Sequence, residues 1–302
     1  VETYANIDEM LANADINVVM VSTPNPSHPE MVKKAAAAKK HVICEKPAAM
    51  SVAEYDEMVA TCEENGVIFT VHQQRRWDKD YRIMKEVYDK AMVGDMYIIK
   101  SQLYGVNGNM HDWHIYPEMG GGMLYDWGVH LIDQMLDMVK SKIVSLYADV
   151  QNVINENVDD YFNIIMKFEN GVTAEIELGT YYLTPKRAWF IGGKKGSALI
   201  DGFAGEGKIV RTAHLLENVP GKITMTAAGP TRSFGPPEPG LLSEEPLPEV
   251  DVNHRNYFEH FLKAFNGEEE VIIKPEQVRR VLCVMDAVRE SAKTGKAIAF
   301  EE

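Results

Sequence analysis

Three glycines open the segment 120–133, GGGMLYDWGVHLID, and the residues behind them have the types that move a proton. Asp126 and His130 stand four apart. On a regular helix that spacing stacks the side chains one turn apart, so the carboxylate could hold the imidazole in one tautomer and stabilise its protonated form. An ordinary surface ion pair accounts for the same spacing. Lys46, in Cys44-Glu45-Lys46-Pro47, follows the apolar run HVIC, where Pro stops a strand ladder and the carboxyl end of a parallel strand opens towards a ligand crevice. An amine there would favour a developing alkoxide and disfavour protonation of a waiting imidazole; a solvated lysine after a strand is the plainer reading. A third candidate is Ser22-Thr23-Pro24-Asn25-Pro26-Ser27-His28, whose small polar side chains and free amides suit phosphate or ribose, or a capped turn.

These residues need a scaffold. Residues 1–93 alternate short β-branched runs (NVVMVST, HVICE, VIFTVH) with amphipathic helical patterns, which predicts βαβ units and a parallel sheet. Helix starts are expected at Asn6-x-x-Glu9, Ser27-x-x-Glu30 and Ser51-x-x-Glu54, each with the spacing of a capping box. From about Asp95 the pattern changes to longer strands of alternating polarity. Asn170-Gly171 predicts a hairpin turn, with Phe162, Ile164, Met166 and Phe168 on one face, and GGKKG predicts a second hairpin. Residues 94–302 therefore read as an α+β domain with a large open, mainly antiparallel sheet and two C-terminal helices, about 253–265 and 275–294. The Pro- and Gly-rich stretch 213–251 reads as a surface excursion without regular structure.

The 302 residues are 45% apolar and 9% aromatic, enough for a sizeable core. With 31 basic and 45 acidic residues the net charge is −14, which argues against nucleic acid as a partner. No apolar run approaches the roughly 20 residues that span a bilayer. The three cysteines form no CxxC pair, which fits a reducing compartment, and a soluble cytoplasmic protein is expected.

Taken in order, the strand followed by TPNPSH, the EKP after HVIC, GGGMLYDWGVHLID and a final helix VRRVLCVMDAVRESAKTGKAI resemble the Gfo/Idh/MocA family of oxidoreductases over nearly the whole chain. The resemblance implies a doubly wound Rossmann-type domain, here 1–93, and a substrate-binding and oligomerisation domain, 94–302. It implies hydride transfer between NAD or NADP and a sugar, polyol or sugar derivative, in a homodimer or homotetramer formed through the open sheet. Matched residue by residue, Lys46, Asp126 and His130 would be catalytic. Ser22, Thr23, Pro24, Asn25, His28, Glu45, Lys46, Gln74 and Arg75 would line the cofactor. Apart from the resemblance, His111 and His114 stand close enough in sequence to share a substrate pocket with Asp126 and His130, or are loop histidines bonded to backbone, and Trp113 offers a stacking face for a sugar ring.

The glycine-rich GxGxxG turn of the family does not occur, so roughly 60 residues are expected to be lacking before Val1, and dinucleotide binding by this fragment is expected to be weak. Residues 202–208, GFAGEGK, imitate a phosphate loop but lead into a strand-like KIVRT. Three other functions remain open at this level: a nicotinamide-assisted glycoside-cleaving enzyme, a cofactor-free sugar-binding or regulatory homologue, and a metal-dependent hydrolase or aldolase using His111, His114, Asp126 and His130. No metal is assigned.

Overall fold

A computed structural model describes residues 2–106, 108, 110–215, 222–233 and 239–300. Helix α1 (Ile7–Asn13) opens it, with the Asn6 side chain capping the Glu9 amide. Strands β1 (Val18–Val21), β2 (His41–Cys44) and β3 (Phe69–Val71) form a three-stranded parallel sheet, Val21 opposite Cys44 and Cys44 opposite Val71. Helices α2 (His28–Ala37) and α3 (Val52–Asn65) make the crossovers. The β-branched strand residues are buried as both-face cover requires: Val42, Val21 and Val71 are at most 2% exposed. Ser51 caps α3 through the Glu54 amide, as expected. Ser27 makes no such cap; its hydroxyl is turned to the Thr23 hydroxyl and the Pro24 carbonyl, because a 3-10 turn, Asn25–Ser27, precedes α2.

After a 3-10 turn at Gln74–Trp77 and helix α4 (Lys79–Asp89), the chain enters the second layer at β4 (Met96–Tyr104). Helix α5 (Val129–Met138) leads to the meander β5 (Ile143–Gln151), β6 (Tyr161–Phe168), β7 (Thr173–Gly179), and then to β8 (Trp189–Gly193), β9 (Gly196–Ile200) and β10 (Gly207–Thr212). A two-stranded ribbon, β11 (Lys222–Thr226) and β12 (Gly229–Ser233), precedes β13 (Leu242–Glu245), α6 (Arg255–Phe265), α7 (Pro275–Thr294) and β14 (Ile298–Ala299). Nine strands form one mixed sheet, β13-β10-β9-β8-β4-β7-β6-β5-β14, in which β4 and β7 run parallel and the other pairs antiparallel.

Alternation places the sheet. Phe162, Ile164, Met166 and Phe168 are at most 3% exposed, and the Gly171 turn has φ +87°, which glycine adopts without strain. Each such buried side chain contributes about 1.5–3 kcal/mol. Helices α4, α5 and α7 cover this face, and α7 also packs on α3 and β3, so the C-terminal helix stitches the two layers together.

The stretch 213–251 is more ordered than its composition predicts. Leu242–Glu245 pairs with β10, and the β11–β12 ribbon closes on itself. Backbone pairing overrides weak local propensity here. Most of the Gly235–Gly240 run lies outside the described residues. The 202–208 loop does lead into a strand, β10.

Candidate functional site

Lys46 and Asp126 meet where the carboxyl ends of β1, β2 and β3 face the start of α5. Lys46, joined to Pro47 by a cis peptide, follows β2 directly. Its Nζ lies 2.7 Å from both Asp126 Oδ1 and the Asp126 carbonyl oxygen. The two side chains are 17% and 20% exposed, which makes this a partly desolvated contact at the mouth of a cleft.

Asp126 does not hold His130. Leu124–Gly128 is a π-helical turn feeding α5, so four residues no longer complete a turn and the expected i,i+4 stack is broken. The carboxylate turns to Lys46, and His114 Nε2 approaches its other oxygen at 3.7 Å. Trp113 stacks on His114 with ring centroids 3.8 Å apart. The His130 imidazole, 3% exposed, instead places Nδ1 2.9 Å from Gln73 Oε1 at the exit of β3. Burial pushes His130 well below the ordinary imidazole value, and the charges of Lys46, Arg75, His72 and His254 push the same way. Both effects favour the neutral imidazole.

The glycines set these distances by close packing. A Cβ on Gly121 would lie 2.3 Å from the His114 carbonyl oxygen, and one on Gly122, at φ +96°, 2.2 Å from Asp159 Oδ1. Asn25 Nδ2 donates to the Met119 carbonyl just ahead of the run, tying the β1 turn to the second layer.

A cleft of about 350 Å³ is lined by Ser22, Thr23, Pro24, Asn25, His28, Glu45, Lys46 and Trp113. Within it Asn25 and His28 act as struts. Asn25 is 5% exposed and His28 1%, and both His28 ring nitrogens are taken by backbone carbonyls, of Pro47 at 3.0 Å and Thr23 at 2.8 Å. Glu45 accepts from or pairs with His72 Nδ1 at 2.7 Å. Burial alone would raise the Glu45 carboxyl, but His72 and the Lys46 amide outweigh it and hold it below the usual carboxylate range.

Gln74 and Arg75 do not line that cleft. The Arg75 guanidinium lies 3.9 Å from the Trp127 ring centroid and pairs with Asp78 at 3.0 Å, on the wall of a second cavity of about 200 Å³. That cavity is also lined by Trp189, Phe203, Ser101 and Asp80. The physical reason is the 3-10 turn Gln74–Trp77, which directs Arg76 inward, Nε and Nη2 each 2.7 Å from Asp133, and swings Arg75 over Trp127. The His111 side chain is 84% exposed and lies 3.9 Å from Asp112, apart from the cluster. His111, His114, Asp126 and His130 thus do not converge, and among the described residues no group of three His, Cys, Asp or Glu side chains is arranged to hold a metal.

Sequence reasoning overlooked Gln73 and His72. Position alone could have found them: they end VIFTVHQQ at the carboxyl edge of the sheet, beside Glu45 and Lys46.

Comparison with known proteins agrees with this architecture. A family profile described as an oxidoreductase family with an NAD-binding Rossmann fold matches residues 1–73, and the GFO/IDH/MocA C-terminal domain matches 81–199. An uncharacterised oxidoreductase of Schizosaccharomyces pombe is 29% identical over 318 residues, covering 98% of this chain and 84% of the relative. The NADP-dependent scyllo-inositol 2-dehydrogenase of Bacillus subtilis is 24% identical, covering 99% and 83%. A solved NAD-binding protein from Listeria innocua superposes with a TM-score of 0.91 at 32% identity, covering 99% of this chain and 86% of its own. With the parallel sheet, the nine-stranded sheet and both profiles in agreement, the chain belongs to the Gfo/Idh/MocA family of oxidoreductases, with an NAD-binding Rossmann fold at its N-terminal side.

Proposed function

We propose that the protein transfers a hydride between NAD(P) and a hydroxyl-bearing carbon of a sugar, polyol or sugar derivative. The observation that carries this reading is the Lys46–Asp126 contact at 2.7 Å beside a buried, neutral His130. The scyllo-inositol activity named for the Bacillus subtilis relative supports the substrate class.

The chemistry of the 350 Å³ cleft fits the ribose and nicotinamide end of a dinucleotide. Ser22 and Thr23 offer hydroxyls, the ionised Glu45 accepts from ribose hydroxyls, and Lys46 stands at the inner end. When bound, the nicotinamide supplies the hydride acceptor or donor. His130 takes the substrate hydroxyl proton, or returns it in the reverse direction. Lys46 donates to the same oxygen and offsets its negative charge as it develops. Asp126 holds the Lys46 amine in place at 2.7 Å, and His114 and Trp113 close the substrate side. The second cavity, with Trp127, Phe203 and Asp80, suits the apolar faces and hydroxyls of a carbohydrate.

On this reading residues 1–93 serve the cofactor and 94–302 the substrate and assembly. A homo-oligomer would use the opposite sheet face, where one register row runs Tyr147, Ile165, Glu175, Lys100, Phe190 and Leu199, apolar on either side of a Lys100–Glu175 ion pair.

The test is NAD(P)H absorbance on the protein with a panel of glucose, xylose, myo-inositol and scyllo-inositol. Lys46→Ala should lower kcat/KM by roughly a hundredfold to a thousandfold with folding retained. Unchanged turnover in Lys46→Ala, or activity that tracks one tightly bound metal equivalent, refutes the proposal.

A further inference from the structure

We infer that Gln73 is a positioning residue that holds His130 as its Nδ1–H tautomer and leaves Nε2 as the proton-accepting atom. The inference rests on the acid–base role proposed for His130 and adds how that role is set.

Gln73 is 1% exposed and stands at the end of β3, immediately before the Gln74–Trp77 turn. Its Oε1 lies 2.9 Å from His130 Nδ1. An amide oxygen can only accept, so the hydrogen in this contact sits on Nδ1. A neutral imidazole has a single N–H, and Nε2 therefore keeps its lone pair.

The other end of Gln73 strengthens the case. Its Nε2 is buried with no hydrogen-bond partner among the described residues, which costs stability and points to a duty other than holding the fold together. Placing a neutral amide here, where a carboxylate is the familiar partner, also has a consequence. The charged and titratable groups around His130 are Lys46 after β2, His72 and Arg75 at the β3 exit, His254 ahead of α6, and Asp126 and Asp133 on its own helical segment. Each nearby carboxylate is already engaged: Asp126 with Lys46, Glu45 with His72, Asp133 with Arg76, and Asp78 with Arg75 and His254. Among the described residues each of these carboxylates has a cationic partner of its own, so the amide orients the ring without adding a negative charge beside it.

The tautomer can be read directly by NMR on this 302-residue chain with labelled histidine, the His130 signals being assigned by their loss in His130→Gln. The wild type should show Nδ1–H from about pH 8 to about pH 6. Gln73→Met should give a mixture of tautomers, and kcat should fall roughly tenfold to a hundredfold with little change in KM. Gln73→Glu should place a carboxylate on Nδ1–H, raise the pH at which His130 titrates, and move the rising limb of the pH–rate profile upward. A purely structural glutamine would lower thermal stability in both variants and move neither tautomer nor limb. An Nε2–H tautomer in the wild type, or variants that leave tautomer and titration unmoved, overturns the inference. Turnover surviving in His130→Gln would instead sink the acid–base reading on which it rests.

Discussion

Replacing Asp133 by Ala should destabilise the protein by about 3–5 kcal/mol, because it strands a buried guanidinium. Arg76 and Asp133 side chains are 5% and 2% exposed, and the pair is bidentate, with both N–O distances 2.7 Å. Arg76 also reaches Gln277 Oε1 on α7 at 3.0 Å, so one guanidinium joins the β3 exit, α5 and α7. Asp137, 3.6 Å from Nη1, can compensate partly, which places the expected loss towards the lower end of that range. At roughly 2 °C per kcal/mol for a chain of this size, the melting temperature should fall by about 6–10 °C. The double variant Arg76→Met with Asp133→Leu removes both charges and should recover a substantial part of the loss. Differential scanning calorimetry of the two single variants and the double variant decides the matter. A shift below about 2 °C for Asp133→Ala, or a double variant whose loss equals the sum of the singles, would refute the reasoning.

Stability should also carry the signature of His130. Its folded-state value is depressed, so below the unfolded value of about 6.5 the unfolded chain takes up a proton that the native state refuses, and stability falls as pH drops. The contribution reaches roughly 1.4 kcal/mol one unit below that value. Asp80 and Asp159, raised to about 6 mainly by burial, act with the opposite sign: their contribution is present at low pH and lost as pH rises through about 6. The comparison that isolates His130 is therefore urea unfolding of wild type against His130→Gln at pH 7.5 and pH 5.5; a difference that stays constant with pH contradicts the shift. Gly121→Ala should cost about 1–3 kcal/mol and displace the His114 carbonyl, lowering turnover more than a surface Gly→Ala change; crystallography of the variant with an unmoved 111–116 segment would contradict it.

Much of the scaffold was legible. The parallel strands, the Asn170-Gly171 hairpin and α7 at Pro275–Thr294 follow from periodicity and turn chemistry, which are local properties. The 242–245 strand was hidden because its partner, β10, supplies the pairing that its own composition does not. Lys46 and His130 were visible as residue types in an ordered set of motifs. Their actual partners were not, since Asp126 meets Lys46 across 80 residues and Gln73 meets His130 across 57.

The order of motifs along the chain by itself determined the family, the fold class and which side chains are chemically capable. Tertiary structure alone decided how those side chains are paired. The reason is the π-helical turn at Leu124–Gly128: it changes the angular step per residue, so a spacing that stacks Asp126 on His130 in a regular helix sends the carboxylate to an amine and leaves the imidazole to a neutral amide from the segment that follows β3.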